Sequence, residues 1–281
     1  MSPPNEKPTG DTLIPLSHGE RWFVDGFSVM PHPGGVIIRL CDMTQAQKAL
    51  DALRARGLPG TWMAIFVRAS ALALKRYPEA HLMMAGYNKV RPLHADIGLS
   101  VAGRTSYAPV LIVPSAEERS LPEIVAFLQQ EVPATREKEV RDLAGMKRLG
   151  WIIPFGPLRR FILRLLGRSM WFRRRLVGTF QVTCVPNIDI GLPLVFYSGS
   201  AVFFTRITDR VLAVGGQPVV RPTVWITLAL DHKMLDGRIG AGLLDAIIRV
   251  LESDELLREA EGETGHSVAL PPALPAAQKS A

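Results

Sequence analysis

The spacing of apolar positions along the chain predicts a mixture of strands and helices. Continuous or alternating apolar runs, which are typical of strands, occur at 36–40, 94–101, 109–114, 178–185, 201–207, 211–214 and 223–230. Apolar residues recur with helical spacing at 44–56, 62–76, 120–137 and 239–251. The two kinds of element do not alternate strictly, so the pattern predicts an α/β domain with one large mixed sheet and helices packed on it.

Local signals mark where several of these helices begin and end. The hydroxyl of Thr44 can bond an unpaired amide of the first turn, so Thr44 is predicted to cap the first helix, and Gly57 is a stop signal after it. Ser120 and Glu123 have the spacing of a capping box at the start of the third helix. Pro133 lacks an amide hydrogen, so it is expected to kink or split that helix.

The stretch from Trp225 to Gly237 carries the clearest chemical signal. It begins as a buried strand and ends in Asp231-His232, and Asp236-Gly237 follows four residues after the histidine. Glycine adopts backbone angles that other residues resist, so Gly237 is expected to turn the chain sharply before the next helix. A histidine that is fixed by a strand and exposed by a loop can act as a general base. The alternative is a histidine that packs in a turn and has no chemical role.

Composition narrows the class of protein. At 281 residues, with 47% apolar residues and a mean hydropathy of +0.15, the chain can bury a sizeable core as one large domain or two small ones. Its cysteines, Cys41 and Cys184, are far apart, which argues against a disulfide scaffold or a zinc site and fits a reducing compartment. Neither a signal peptide nor an apolar run of spanning length is visible, so a cytoplasmic location is expected, with peripheral attachment to a membrane as the alternative.

The positive charge is concentrated in one segment. Between Asp142 and Asp189 the chain has no acidic residue. The nine cations in this gap are Lys147, Arg148, Arg159, Arg160, Arg164, Arg168, Arg173, Arg174 and Arg175. Removing nine charges from the net charge of +7 leaves about −2 for the rest of the chain, so any anionic partner is expected to bind here.

This basic segment also has an amphipathic pattern. One helical face is apolar and consists of Leu158, Phe161, Ile162, Leu165 and Leu166. The opposite face carries Arg160, Arg164 and Arg168, and the flanking aromatic residues are Trp151, Phe155, Trp171 and Phe172. The pattern suits a helix in a membrane interface, the phosphates of an anionic ligand, or an acidic protein. It equally suits a helix that packs on its own domain with solvated arginines, and nucleic acid is not expected because only the charge supports it.

Several segments resemble the acyltransferase component of 2-oxo acid dehydrogenase complexes, in the chloramphenicol acetyltransferase superfamily. Besides the DHKMLDG motif they are PLSHGER, CDMTQAQKALDALR, MAIFVRASALALKRYPEAH, ADIGLSVAG with YAPVLIVPSAEERSLPEI, and GTFQVT. Together they cover roughly residues 13–255. The resemblance implies a single domain of the chloramphenicol acetyltransferase-like fold. It also implies a homotrimer, or a multiple of trimers, with each active site between two subunits and with coenzyme A and a thiol acceptor entering from opposite ends of a channel.

The resemblance also assigns roles to individual residues. His232 would be the general base that deprotonates the thiol, and Thr183 would donate its hydroxyl to the oxyanion where the family usually has serine. Asp236 would complete the site, more as a structural residue than as a direct catalyst, paired with Arg21. Gly237 would serve the turn. A thiol has an ordinary pKa near 8.5 and an imidazole one near 6.5, so neutral histidine is a suitable proton acceptor at pH 7.

The predicted organisation is a disordered lead over 1–12, a catalytic domain over 13–258 with a basic amphipathic insertion at about 141–177, and a flexible tail over 259–281. A lipoyl domain does not fit before residue 13, so a dihydrolipoyl acceptor is expected to be carried by another protein.

The predicted function is therefore acyl transfer between coenzyme A, as a substrate, and a thiol acceptor, without a metal. The alternatives are transfer to a hydroxyl or amine, or a non-catalytic scaffold or membrane-docked relative. The expected partners are further copies of the chain, a lipoyl-carrier protein and an anionic membrane surface at 151–175.

Overall fold

The computed structural model describes residues 10–15, 34–85, 88–103, 109–152, 156–193, 195 and 198–263. Its strands are β1 (Thr12–Pro15), β2 (Gly34–Asp42), β3 (Met83–Ala85), β4 (Asn88–Arg91), β5 (Ile97–Ser100), β6 (Val110–Val113), β7 (Phe180–Cys184), β8 (Ser200–Phe204), β9 (Thr208–Val214) and β10 (Gln217–Asp231). Its helices are α1 (Thr44–Ala55), α2 (Trp62–Arg76), α3 (Leu121–Ile152), α4 (Gly156–Leu166), α5 (Met170–Val177), α6 (Gly237–Glu252) and α7 (Glu255–Glu261), with a 3₁₀ turn at Pro78–Ala80.

Most strands form one mixed sheet in the order β2-β10-β8-β7-β5-β6, and β9 pairs with the first half of β10. Strand β7 runs parallel to both β5 and β8, whereas β10 runs antiparallel to β2 and β8. A separate three-stranded sheet has the order β1-β4-β3. The predicted mixed sheet with packed helices is confirmed.

The core lies between the large sheet and the helices α2 and α6. Helix α2 is buried along most of its length, as its continuous apolar pattern predicts, and the Phe66 ring stacks on Phe204 of β8 with 3.8 Å between the ring centroids. Ile226 and Leu228 of β10 are fully buried, and Leu243 of α6 belongs to the same core. The second half of β10 is therefore held in place by close packing of its core-facing side chains.

The start of α1 is found where it is predicted, but Thr44 is not its cap. The N-cap is Met43, whose side chain makes no capping bond. The Asp42 carboxylate instead accepts hydrogen bonds from the amide of Thr44 at 2.8 Å and from its hydroxyl at 2.5 Å. A carboxylate is the stronger acceptor, so the hydroxyl of Thr44 donates to Asp42 and the prediction of a threonine cap is wrong.

Helix α3 begins as its capping box predicts and continues well beyond the predicted end. The Glu123 carboxylate accepts bonds from the amide and hydroxyl of Ser120 at 2.7 and 2.8 Å, and these bonds lower the pKa of Glu123. The helix is not split at Pro133, which is exposed, and it runs to Ile152. Directly after the proline, residues 136–138 are charged and exposed, so the apolar period that marks a buried helix is interrupted there.

Several predictions fall outside the described residues. They include Arg21 and most of the predicted lead and tail. The last described helix ends at Glu261, with Ala260 buried. Among the described helices, none combines the length and the apolarity needed to cross a bilayer.

Candidate active site

The turn that carries His232 is built by Asp231, the last residue of β10. The Asp231 carbonyl accepts hydrogen bonds from the amides of Met234 and Leu235 at 2.9 and 3.0 Å, and its carboxylate accepts one from the amide of Lys233 at 2.9 Å. Met234 and Leu235 are buried under the turn. The backbone around His232 is therefore fixed both by hydrogen bonds and by packing.

A backbone carbonyl orients the His232 ring. Its Nδ1 lies 3.2 Å from the carbonyl oxygen of Leu235, three residues further along the chain. A carbonyl oxygen can only accept a hydrogen bond, so in the neutral ring Nδ1 carries the proton and Nε2 keeps its lone pair. The side chain is half-buried. This tautomer is the one that a general base acting through Nε2 requires.

Gly35 of β2 makes room for the Nε2 edge of the ring. It pairs with Leu230 of β10, and a Cβ atom added at Gly35 would lie 2.6 Å from His232 Nε2. Sequence reasoning missed this residue. The signal for it is the Gly34-Gly35 pair at the start of a strand, because glycine in a strand often marks a place where another group approaches closely.

Asp236 caps helix α6. Its carboxylate accepts a hydrogen bond from the amide of Ile239 at 2.7 Å, so the structural role expected for Asp236 has a direct physical basis. The partner expected for it, Arg21, lies outside the described residues, and their pairing stays a prediction.

The reason given for Gly237 is wrong. Gly237 does not have a positive φ angle, and a Cβ atom added to it would meet no atom within 4 Å. The sharp turn is made instead by the hydrogen bonds of Asp231 and by the Asp236 cap. Glycine is therefore not required at this position by the backbone angle.

Thr183 lies in β7 next to a second hydroxyl. Its Oγ1 is 3.5 Å from the Oγ of Ser100, which ends the adjacent parallel strand β5. Sequence reasoning did not single out Ser100. Serine and threonine are common in strands, so the pairing of these two hydroxyls becomes visible only when the strand register is known.

His232 and Thr183 lie towards opposite ends of the strands in the sheet. Thr183 is level with Phe203 on β8, and Phe203 is level with Thr227 on β10. His232 follows Thr227 by five residues, which is about 16 Å along a strand, and two strand spacings of about 4.8 Å also separate the two positions. The two side chains of one chain are therefore too far apart to act on the same bond.

Comparison with curated proteins finds distant relatives of one kind, although no protein-family model matches the chain. The succinyltransferase component of the 2-oxoglutarate dehydrogenase complex from Haemophilus influenzae is 28% identical over 195 residues, covering 68% of this chain and 40% of that protein. The corresponding protein from Pseudomonas aeruginosa is 26% identical over 219 residues, covering 76% and 45%. The chain thus spans less than half the length of these relatives.

Solved structures share the fold. An Azotobacter vinelandii dihydrolipoamide acetyltransferase, in which the catalytic roles of a serine, a histidine and an asparagine were investigated, has a TM-score of 0.62 at 16% identity, covering 84% of this chain and 87% of that one. A probable dihydrolipoamide acetyltransferase from Listeria monocytogenes has a TM-score of 0.58 at 21% identity, with coverage of 86% and 94%. The chain is thus similar, in sequence and in fold, to acyltransferases of the 2-oxo acid dehydrogenase complexes.

This similarity confirms the resemblance and the fold that the sequence segments predict. A chloramphenicol acetyltransferase also matches, with a TM-score of 0.50 at 12% identity and coverage of 84% of this chain and 96% of that one. In this chain the DHKMLDG motif runs from the end of β10 to the start of α6.

The thiols of Cys41 and Cys184 are poor nucleophiles at neutral pH. Cys184 follows Thr183 directly, and burial raises the pKa of its thiol to about 11. Burial also raises the pKa of Cys41. A thiol with a raised pKa is protonated at neutral pH and reacts poorly, so the chemistry at Thr183 would depend on hydroxyl groups.

One group of described side chains has the composition of a metal site. The Nδ1 atom of His94 lies 2.9 Å from a carboxylate oxygen of Glu117 and 3.6 Å from one of Glu118. The Glu117 carboxylate also accepts a hydrogen bond from the amide of Ala95 at 2.9 Å. These contacts raise the pKa of His94 and account for the arrangement as an ion pair without a bound metal.

Proposed function

We propose that the protein transfers acyl groups between coenzyme A and a thiol acceptor of the dihydrolipoyl type, with His232 as the general base. The observation that carries this proposal is the bond between His232 Nδ1 and the Leu235 carbonyl, which places the proton of the neutral ring on Nδ1. The family relationship supports acyl transfer as the reaction class.

In the proposed reaction, Nε2 takes the proton of the attacking thiol, and the thiolate adds to the thioester carbonyl. The tetrahedral intermediate then collapses, breaking the bond to the other sulfur, which recovers the proton from the imidazolium. The enzyme can favour this reaction by stabilising the thiolate and the oxyanion as they form.

The Thr183 hydroxyl, with Ser100 beside it, is the proposed donor to the oxyanion. Since one chain holds Thr183 and His232 too far apart, we propose that each site combines His232 of one subunit with Thr183 of another. The separation of the two side chains across the sheet supports this arrangement, as does the trimer that the family resemblance implies.

The Azotobacter vinelandii enzyme supports the choice of residues. The histidine and the asparagine investigated there are four residues apart, and the third residue is a serine. In this chain His232 and Asp236 have the same spacing, with aspartate in place of asparagine, and Thr183 offers a hydroxyl in place of that of serine. Asp236 keeps the oxygen that caps α6.

The test is an assay of thiol–acyl exchange with a series of acyl-coenzyme A thioesters and free dihydrolipoamide. We expect His232→Ala to lower the rate by about 10²–10⁴-fold, because general base catalysis typically contributes that much. His94→Gln, which changes a histidine outside the β10–α6 turn, is the matched control and should keep most of the activity. Equal rates for wild type and His232→Ala with every active pair would show that the assigned base is wrong.

Mass analysis of the product from the same assay identifies the acceptor atom. A thioester product supports the dihydrolipoyl-type acceptor. An ester or an amide, formed when alcohols or amines replace the thiol, would assign the protein to acyl transfer onto oxygen or nitrogen.

A further inference from the structure

Helices α4 and α5 both carry large apolar side chains that are exposed to solvent. The side chains of Phe161, Leu165 and Trp171 are 63%, 56% and 67% exposed. Leu158, Leu166 and Leu176 are exposed as well. If α4 packed its apolar face on its own domain, as one interpretation of the sequence holds, Leu158, Phe161 and Leu165 would be buried, so that interpretation is wrong for α4.

Helix α5 is fixed to the domain by its inner face. Arg173 and Val177 are buried, and Arg173 donates a bond to the Met170 sulfur at 3.1 Å. Arg174 forms an ion pair with Asp11. Because this face is anchored, Trp171 is held outward, and the Arg175 guanidinium lies over its ring at 5.3 Å from the centroid.

The same surface lies in the most basic part of the chain. Nine cations and no carboxylate occur between Asp142 and Asp189, and Arg168 and Arg175 are exposed among the described residues. Exposed apolar side chains next to exposed arginines match the composition of helices that lie in the interface of an anionic bilayer. Tryptophan is favoured at that depth because its ring is apolar and its N–H is polar.

A second copy of the chain that docks through a two-fold contact is a poor occupant for this surface. A two-fold contact would bring the basic segment against itself and place like charges together, which disfavours association. An anionic bilayer satisfies both features at once, since its head groups attract the arginines and its acyl region accepts Phe161, Leu165 and Trp171.

We propose that α4 and α5 dock the protein on an anionic membrane surface, with the apolar side chains inserted about 5–10 Å into the head-group region. Attachment would be peripheral, and it is independent of the proposed acyl transfer.

The test is flotation with phosphatidylcholine vesicles that contain roughly one quarter phosphatidylglycerol, at low ionic strength, where charge attraction is strongest. We expect wild type to float with these vesicles, to bind pure phosphatidylcholine at least about tenfold more weakly, and to be released by salt. A wild-type protein that stays unbound at low ionic strength would overturn the proposal.

Variants locate the binding surface. F161S/L165S should lower the bound fraction by about tenfold or more, because two inserted side chains are lost. The matched control is V211S/V220S, which changes two cross-strand residues of the β9–β10 hairpin that are 66% and 64% exposed, and it should bind like wild type.

R168Q/R175Q should lower the preference for anionic vesicles while the fold, followed by circular dichroism, is kept. Unchanged binding of F161S/L165S would refute the assignment to α4. The proposal would also be refuted if wild type bound no vesicles and F161S/L165S changed the oligomeric state. The surface would then be a subunit interface.

Discussion

The Leu235 carbonyl and Gly35 determine the tautomer and the position of the His232 ring. The Leu235 carbonyl fixes the proton on Nδ1, and the missing side chain of Gly35 leaves space at Nε2. Neither group is chemically reactive. Both act by setting the position of a reactive atom, which is the main contribution a fold can make to general base catalysis.

We expect Gly35→Ala to lower acyl transfer by about 10–100-fold, because a displacement of the base by about 1 Å can have an effect of that size. The added Cβ would lie 2.6 Å from Nε2, so the ring has to move. Gly237→Ala is the control, since its Cβ meets no atom within 4 Å, and it should retain activity. Rates measured at saturating substrate compare the two variants, and equal rates for both would contradict the proposed position of the base.

His81 should make the protein acid-sensitive. Burial, assisted by the nearby charge of Arg174, lowers the pKa of His81 from 6.5 to about 4. As the pH falls below 6.5, the unfolded chain binds a proton that the native protein does not, so the free energy of unfolding decreases by up to about 1.4 kcal/mol per pH unit until the pH reaches about 4.

Urea unfolding of wild type and His81→Gln at several pH values checks this expectation. The difference between the two proteins should change across the window from pH 6.5 to 4 and remain constant above it. A constant difference at all pH values would show that His81 does not stay neutral in the native state.

At the scale of elements, the site depends on the junction between β10 and α6. The strand ends at Asp231 and the helix begins at Gly237, with Asp236 as its cap. One motif therefore combines a strand end, a turn and a helix cap, which explains why its sequence is so distinctive.

We expect Asp236→Ala to lower the free energy of unfolding by about 1 kcal/mol, the usual effect of losing an N-cap. Asp236→Asn keeps a side-chain oxygen that can cap the helix and should be close to wild type in stability. Chemical denaturation of the three proteins gives this comparison. A large loss of activity in Asp236→Asn at unchanged stability would assign the carboxylate a direct part in the reaction.

Local sequence signals predicted most elements but not all of them. Helix α2 has the predicted bounds because its apolar pattern is continuous and Pro78 stops it. Strands β3 and β4 were missed because their three and four residues carry no clear period. At the site, His232 and its turn could be read from the motif, whereas Gly35 and Ser100 could not, because their roles come from the register of neighbouring strands.

At the scale of the whole molecule, the proposed catalytic groups lie at opposite ends of the strands in one sheet. The parallel strands β5 and β7 end on the side where Ser100 and Thr183 lie. Strand β10 runs antiparallel to β8 and ends on the other side. In the proposed mechanism a single chain therefore presents two half-sites, and a complete site requires an assembly in which these regions of different copies meet.

We expect two inactive variants, His232→Ala and Thr183→Ala, to complement each other when they are refolded together. In random mixed assemblies, about one quarter of the sites would combine an intact histidine from one chain with an intact threonine from the other. Acyl transfer should therefore recover to roughly a quarter of the wild-type rate. The double variant mixed with itself is the control, and a mixture no more active than its components would place both residues in the same subunit's site.

The pairing of β10 has a consequence for how this protein responds to its substrates. From Ile226 to Leu230 the strand is hydrogen-bonded to β2 on one side and to β8 on the other, and Asp231 is bonded to the Gly199 carbonyl. The imidazole is thus anchored to one of the stiffest parts of the chain. If the site is shared between two copies as proposed, adjustment to different acyl chain lengths would come from the facing copy, so changes of substrate preference should map to residues far from the histidine in sequence.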